Sequence, residues 1–230
     1  MPAATVSCVN YDARFSFLGF YIVRPDLRGQ GCGLRIWNAA IAHAGARVIG
    51  LDGVVAQQRN YEKSGFVYAY ANIRYGGTIR APAAAPREGI VALAEVPLEQ
   101  IAASDATVFP ARRPAFLRSW VGSAGHIGRA FIRDGMLAGW GVIRPCRTGF
   151  KIGPLVADDR DAGEAVLLAL LTATGGGEIF LDVPAINTEA VALAKGFGLA
   201  PVFETARMYT APVPPLRIDR VFGVTTFELG

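Results

Sequence analysis

The sequence predicts a mixed α/β fold made of two similar units, and three observations lead to that prediction. Short apolar segments alternate with segments whose apolar residues recur at helical spacing. The order strand, loop, helix, strand, helix, strand occurs in each half of the chain. In both halves a Leu-Asp pair, Leu51-Asp52 and Leu181-Asp182, ends a short strand and precedes a helix. We therefore expect a mixed sheet flanked by helices in each unit.

The elements of the first half follow from aromatic content and periodicity. Phe15–Val23 is rich in aromatic residues, as buried central strands are. Leu34, Trp37 and Ile41 recur at helical spacing, and Gly45 ends that helix. The predicted strands are 6–11, 15–23, 48–51 and 66–70, and the predicted helices are 34–44 and 57–64.

The second half has additional elements at its start. Asp134-Gly135, between two apolar segments, is the strongest hairpin signal in the chain. The predicted strands are 90–94, 128–133, 136–143, 150–156, 178–183, 202–209 and 221–229, and the predicted helices are 98–106, 114–121, 162–174 and 187–197. If the halves are repeats, the first half lacks the opening strand and helices of the second.

A linker separates the two predicted domains. Residues 78–89 contain prolines and small residues without a periodic pattern, which argues against packed structure. We therefore expect a partial domain over 1–77, a linker over 78–89 and a second domain over 90–230.

Composition excludes several functional classes. With 52% apolar and 18% charged residues, the chain is predicted to be globular. The net charge of +4 is modest and no long basic run occurs, so no nucleic-acid partner is expected. No apolar run is long enough for a membrane helix, and no signal peptide is visible, so we expect a cytoplasmic protein. Cys8, Cys32 and Cys146 are widely spaced, so neither disulfides nor a metal site are predicted.

The glycine-rich segment before the first predicted helix carries the chemistry. Gly29, Gly31 and Gly33 follow a buried strand and open a helix, and Arg28 precedes them. A helix N-terminus has unpaired N–H groups and partial positive charge, both of which favour a phosphate. Glycines allow the close approach and the positive φ angles that form an anion nest. A tight strand-to-helix turn without a ligand is the alternative, and it would need only one glycine.

Two common phosphate-binding motifs fit this segment poorly. A Walker loop ends in Gly-Lys-Ser or Gly-Lys-Thr, and neither occurs in the chain. Gly29 and Gly31 match the start of a Rossmann fingerprint, with Asp52 as a candidate ribose ligand, but Leu34 stands at the third glycine position. The preceding Pro-Asp-Leu-Arg is also too long for the tight Rossmann turn.

The segment resembles the acetyl-coenzyme A motif of the GNAT N-acetyltransferases. Val23-Arg-Pro-Asp-Leu-Arg-Gly-Gln-Gly-Cys-Gly matches the family's valine, proline and Arg-x-x-Gly-x-Gly, and Tyr61-Glu-Lys-Ser-Gly-Phe66 resembles its Tyr-x-x-x-Gly-Phe. The resemblance extends over nearly the whole chain, which is similar to bacterial two-domain members of this family. Compared with those members, the front of the first domain is missing. The resemblance implies a pyrophosphate site at Arg28, Gly29, Gln30, Gly31, Cys32 and Gly33, and a pantetheine and acetyl site along the backbone of Tyr21, Ile22 and Val23.

By the same resemblance Tyr61 protonates the departing thiolate of coenzyme A, although a core aromatic residue is the alternative interpretation. Val54 stands where family members often have asparagine, and Gln57 is a candidate substitute.

In the second half Asp158, Asp159 and Asp161 crowd the equivalent helix start and would repel a pyrophosphate. We therefore expect a cofactor site in the first half alone.

The implied activity is acetyl transfer from acetyl-coenzyme A to an amine, by direct attack in a ternary complex. The acceptor would be a small-molecule or protein amine. Asp52 is the first candidate for the general base, a water-mediated relay is an equal alternative, and Asp182 or Glu204 could face the acceptor.

A non-catalytic coenzyme A-binding or interaction module is the competing hypothesis. An incomplete first domain would expose a sheet edge, which favours a homodimer.

Overall fold

The computed structural model describes residues 2–80, 87–213 and 215–230. The strands are β1 (Ala4–Asn10), β2 (Phe15–Val23), β3 (Val48–Val54), β4 (Val67–Arg80), β5 (Ile90–Ala92), β6 (Ile127–Arg133), β7 (Met136–Pro145), β8 (Phe150–Ala157), β9 (Gly176–Pro184), β10 (Ala200–Tyr209) and β11 (Val221–Gly223). The helices are α1 (Cys32–Ala44), α2 (Gln58–Lys63), α3 (Leu98–Asp105), α4 (Pro114–Val121), α5 (Arg160–Thr174) and α6 (Thr188–Gly196). The mixed α/β prediction is confirmed.

The residues form two compact units whose bounds differ from the predicted domains. Unit 1 contains Met1–Tyr70, Thr205–Pro214 and Phe227–Gly230, and unit 2 contains Ala71–Glu204 and Pro215–Thr226. The beginning of the predicted linker is strand, because residues 78–80 belong to β4 and pair with β9. Residues 81–86 of that linker lie outside the described residues. A linker pattern in the sequence does not reveal such long-range strand pairing.

Unit 1 contains a mixed sheet that holds α1 against one face. β1 and β2 are antiparallel, β2 and β3 are parallel, and the second half of β10 pairs antiparallel with β3. The parallel pair needs a crossover, and α1 provides it between β2 and β3. The buried cluster on this face contains Leu18, Trp37, Ala40, Ala44, Ile49, Leu51, Tyr61, Phe66, Ala206 and Met208.

Unit 2 repeats the parallel pair and adds strands to it. β8 and β9 are parallel and are joined through α5, while β4, β7 and β11 pair antiparallel with them. β6 and β5 extend the sheet beyond β7. The α5 helix buries Val166, Leu167 and Leu170 in the largest core cluster. The predicted hairpin forms at Asp134-Gly135, where both residues have positive φ, at 52° and 75°.

Most predicted elements are present within a few residues of their predicted ends, with two clear exceptions. β4 continues to Arg80, ten residues past the predicted end at Tyr70, because Asn72–Arg80 pairs with β9. The predicted strand over 221–229 is wrong beyond Gly223, since only Val221–Gly223 forms a strand. Its apolar residues are buried, and the sequence pattern does not distinguish a buried loop from a strand.

Candidate active site

The glycine-rich segment adopts a conformation that leaves backbone N–H groups open at the start of α1. Gly29 and Gly31 have φ angles of 75° and 78°, and Gly31 is the N-cap of α1 without a side-chain capping bond. The first turn of α1 contains no acidic residue. A Cβ built on either glycine would meet no atom within 4 Å, so the space beside the loop is open. This arrangement is a nest for an anion at a helix N-terminus.

The remaining loop residues are held by contacts within unit 1. Nε of Arg28 donates to the carbonyl of Val23 at 3.2 Å, and Nε2 of Gln30 donates to the carbonyl of Asp26 at 3.0 Å. Cys32 is the first residue of α1 and is partly exposed. Arg28 is exposed, so its guanidinium adds positive charge beside the nest.

Strand β2 leaves β3 at the point where the predicted pantetheine site begins. Pairing between the two strands ends at Leu18 and Leu51, whereas β2 continues to pair with β1 as far as Val23. The register with β1 shifts between Gly19 and Ile22, and Phe20 within this irregularity has a φ of 50°. Ile22 and Val23 therefore have β1 partners on one side, Tyr21 lies within the irregularity, and the register with β3 includes none of the three.

A cleft of about 420 Å³ lies beside the end of β2 and the first turn of α1. The residues that line it come from β2, α1 and the region around α2, namely Tyr21, Leu34, Trp37, Gln57, Asn60, Tyr61, Lys63 and Ser64. The structure thus brings together Tyr61 and the side chain of Tyr21, whereas the resemblance implied a role for the Tyr21 backbone. Gln57 lies in this lining as well, and its Oε1 accepts a hydrogen bond from Asn60 at 2.7 Å.

Aromatic rings form the inner part of the cleft. The Trp37 ring centroid lies 5.1 Å from that of Tyr21, 5.6 Å from that of Tyr61 and 5.9 Å from that of Phe66. Burial raises the pKa of Tyr61, and the neighbouring Tyr21 raises it further. Burial also raises the pKa of Tyr21. Both phenols therefore keep their protons at neutral pH, as a proton donor requires.

Asp52 is engaged in a buried ion pair, which argues against its candidacy as the general base. Nε and Nη2 of Arg207 donate to the two carboxylate oxygens at 2.8 and 2.7 Å, and both side chains are at most 6% exposed. Burial opposes the charge of Arg207, but the facing Asp52 holds the pKa of Arg207 well above its ordinary value. The pair stabilises the sheet of unit 1 on the face opposite Tyr61.

The two further acidic candidates belong to unit 2. Asp182 is fully buried and accepts from Nε of Arg74 at 2.7 Å and from Nζ of Lys151. Glu204 is exposed. Asp182 is therefore part of a buried charge cluster, which argues against the prediction that it faces the acceptor.

In unit 2 the equivalent of the cofactor loop is closed. Oδ1 of Asp159 accepts from the amide of Ala162 at 2.9 Å and caps α5. Asp158 pairs with Arg220, and Asp161 pairs with Arg87. These acidic side chains lie where the first unit has its open nest.

The gap beside β8 is also filled. Pairing between β8 and β9 begins at Phe150 and Ile179 and ends at Ile152 and Leu181. Beyond that point β11 pairs with β8, and the amide of Val224 donates to the carbonyl of Asp182 at 2.8 Å. Backbone atoms of Val224 and Thr225 lie close against Gly153, and the backbone of Glu228 lies equally close against Gly19 of β2 in unit 1. The pairing of β11 with β8, and not this contact, therefore distinguishes unit 2. The chain itself thus occupies the space between the two parallel strands of unit 2.

The residues of unit 1 fit a coenzyme A thioester. The nest suits a pyrophosphate, the side of β2 without β3 pairing offers backbone groups to an extended amide-bearing arm, and the cleft is lined by both apolar and polar groups.

Over residues 2–80, 87–213 and 215–230, no group of three or more His, Cys, Asp or Glu is placed to hold a metal ion. No helix in the described part of the chain is long and apolar enough to span a membrane.

Some residues of the site had no signal in the sequence. The periodicity of Trp37 predicts only that it belongs to the helix, yet its ring contacts both tyrosines of the cleft. Asn60 and Lys63 belong to no recognised motif, and they line the cleft because α2 is short and presents several of its residues to it. Their proximity to Tyr61 in the sequence was the available clue.

Known protein families match both parts of the chain. Residues 2–66 match the acetyltransferase (GNAT) family, and residues 101–223 match an acetyltransferase (GNAT) domain. A relative from Pseudoalteromonas sp. (strain SANK 73390), holothin acyltransferase, is 30% identical over 230 residues, which are 100% of this chain and 78% of the relative.

Solved structures share the fold. A candidate acetyltransferase from Pyrococcus horikoshii has a TM-score of 0.84 at 23% identity, covering 100% of this chain and 76% of its own. A tandem GNAT protein from the clavulanic acid biosynthesis pathway has a TM-score of 0.62 at 14% identity, covering 92% and 80%. The resemblance seen in the sequence is confirmed: the chain belongs to the GNAT acetyltransferase family, as an acyltransferase with two GNAT domains in tandem.

Proposed function

We propose that this acyltransferase takes an acetyl group from acetyl-coenzyme A and transfers it to an amine by direct attack in a ternary complex. One observation carries the proposal: the open glycine nest at the start of α1 lies beside a cleft that contains a buried, protonated tyrosine, Tyr61. Acetyl-coenzyme A supplies the acyl group as an activated thioester.

The loop of unit 1 would bind the cofactor through its backbone. The amides from Gly29 to Gly33 are available for the pyrophosphate, and Arg28 adds a charge beside them. The backbone of Tyr21–Val23 would hold the pantetheine arm, because its β3 side has no strand partner. Unit 2 would not bind a second cofactor, since Asp159 caps α5 and β11 fills the gap beside β8.

Tyr61 would deliver the proton that the sulfur of coenzyme A needs when the acyl group leaves. Its hydroxyl makes no hydrogen bond to any other described residue, and the ring is held against Trp37. Because Arg207 engages both oxygens of Asp52, we propose that the amine loses its proton through water rather than to that carboxylate.

The acceptor is proposed to be a small-molecule amine. The relative from Pseudoalteromonas is named holothin acyltransferase, and all 230 residues of the present chain align with 78% of that relative. A protein amine is the competing acceptor, and a screen that measures release of free thiol from acetyl-coenzyme A with small amines and with peptides would separate the two.

Titration calorimetry with acetyl-coenzyme A tests the cofactor site. We expect one site per chain, and we expect Gly31→Val to abolish binding because a β-branched residue disfavours a φ of 78° and would project into the nest. Gly175→Val is the matched control, since Gly175 has a φ of 76° and equally open surroundings but ends α5 in unit 2. Two sites per chain, or full binding by the Gly31→Val variant, would contradict the proposal.

A further inference from the structure

The ring of Tyr61 rests on the backbone of strand β3. A Cβ built on Gly53 would lie 2.7 Å from Cδ2 of Tyr61 and closer still to Cε2. Real Cβ atoms do not approach carbon atoms to such distances, so any side chain at position 53 would displace the ring. Gly53 is itself buried, and the ring therefore covers it.

The indole of Trp37 lies against another side of the same ring. The ring centroids of Trp37 and Tyr61 are 5.6 Å apart with an angle of 32° between the planes. Trp37 is 6% exposed, and it also contacts Tyr21 and Phe66, so it has little room to yield. An added methyl group at position 53 would therefore push the ring of Tyr61 in a direction that Trp37 does not already block.

The alternation of β3 restricts this effect to one face. Leu51 and Gly53 point to the face that carries α1 and the cleft, whereas Gly50 points to the opposite face. A Cβ on Gly50 would lie 3.0 Å from Cζ of Phe15 and 3.0 Å from Cε1 of Tyr209. Both glycines of this strand thus face aromatic rings, but the contact at Gly53 is the closer one, and only Gly53 is crowded by the ring of Tyr61.

We infer that Gly53 is a positioning residue for Tyr61: the absence of a side chain at this position lets the phenol settle where it can reach the reacting sulfur. The role deepens the proposed function, because it matters for turnover only if Tyr61 is the proton donor. Gly53 contacts no reacting group itself. Its effect is transmitted through the ring that rests on it.

The test uses four variants of the full chain: Gly53→Ala, Tyr61→Phe, their combination, and Gly50→Ala as the matched control. Turnover is measured with acetyl-coenzyme A and the amine found in the screen, and binding of coenzyme A is measured by calorimetry. We expect Gly53→Ala to lower kcat by about tenfold to a hundredfold, since misplacement by about 1 Å has effects of that size. The Kd for coenzyme A should change less than about twofold, because the glycine nest is untouched.

Non-additivity separates positioning from general damage. In the Tyr61→Phe background, Gly53→Ala should cause no further loss of kcat, because the phenol hydroxyl that the substitution would misplace is already absent. Gly50→Ala should lower the Tm without lowering kcat. Losses that multiply in the double variant would overturn the inference.

Crystal structures of Gly53→Ala and Gly50→Ala test the position directly. We expect a displaced Tyr61 ring in the first and an unmoved ring in the second, and an unmoved ring in Gly53→Ala would overturn the inference. If Tyr61→Phe keeps full kcat, the proposed acid role fails, and the ring position still decides whether Gly53 positions Tyr61.

Should Gly53→Ala not fold, Gly53→Ala combined with Tyr61→Leu should fold, because the smaller side chain removes the overlap. Failure of that double variant to fold would also count against the inference.

Discussion

The guanidinium of Arg207 donates to both carboxylate oxygens of Asp52, at 2.8 and 2.7 Å, and the two residues are direct cross-strand partners in β10 and β3. The guanidinium also lies 5.1 Å from the ring centroid of Phe17, and its Nη1 donates to the hydroxyl of Tyr209 at 3.3 Å. A buried arginine is thus enclosed by one carboxylate and several aromatic rings. This geometry gives Asp52 a role in stability.

Replacing Asp52 should therefore destabilise unit 1. In Asp52→Asn the buried charge of Arg207 loses its counter-charge, and breaking a buried pair in this way costs about 3–5 kcal/mol. Urea denaturation measures the loss. Asp26→Asn is the control, because the Arg24–Asp26 pair is exposed and its loss should have no measurable effect. A variant of unchanged stability with a strongly reduced kcat would instead support Asp52 as the general base.

Stability should fall at alkaline pH because of Tyr70. Burial raises the pKa of Tyr70 far above its ordinary value of 10.0, and this effect outweighs the nearby charge of Arg207. The folded state therefore keeps a proton that the unfolded chain loses above about pH 10, so the contribution is complete below that pH and declines above it. Each such group adds up to about 1.4 kcal/mol per pH unit to the decline.

Denaturant titrations between pH 8 and 11 measure this slope. The Tyr70→Phe variant should show a shallower decline, because it has no phenol to ionise at this position. Tyr68→Phe is the control, since Tyr68 is 47% exposed. Equal slopes for the parent and Tyr70→Phe would contradict the prediction.

Replacing Tyr61 should separate chemistry from binding. Tyr61→Phe should lower kcat by about a hundredfold, the size typical of a lost general acid, while the Kd for coenzyme A stays nearly unchanged because the ring still packs against Trp37. Because burial raises the pKa of Tyr61 above its ordinary value of 10.0, a decline of kcat caused by its ionisation should begin only above that pH and should be absent in the variant. Equal losses of affinity and rate would mark Tyr61 as a packing residue.

Removing the cap of α5 should weaken unit 2 without opening a cofactor site. Asp159→Ala deprives the amide of Ala162 of its acceptor, and such N-cap losses cost about 1 kcal/mol. Calorimetry should still show one acetyl-coenzyme A site per chain, because β11 continues to fill the gap beside β8. Asp161→Ala is the control, since Asp161 pairs with Arg87 at the surface and is not the N-cap. A second site in the Asp159→Ala variant would show that the carboxylate alone excludes the cofactor.

The sequence by itself determined the features that depend on neighbouring residues. The alternation of strands and helices, the hairpin at Asp134-Gly135 and the glycine nest before α1 follow from local conformational preferences, because glycine and the residues around it select the backbone angles. The motif from Val23 to Gly33 was sufficient to indicate the family, since its spacing is local as well. The acidic residues at the start of α5 likewise lie at its N-terminus, where Asp159 caps the helix.

The tertiary structure alone decided the features that depend on residues far apart in the chain. Arg207 meets Asp52 across 155 positions, so the sequence could not show that the first candidate base is already paired. The return of β10 to unit 1 and the insertion of β11 beside β8 are also pairings of distant segments. Strand partners, the burial of charge and the fit of the Tyr61 ring on Gly53 are properties of packing, and packing is not encoded in any local pattern.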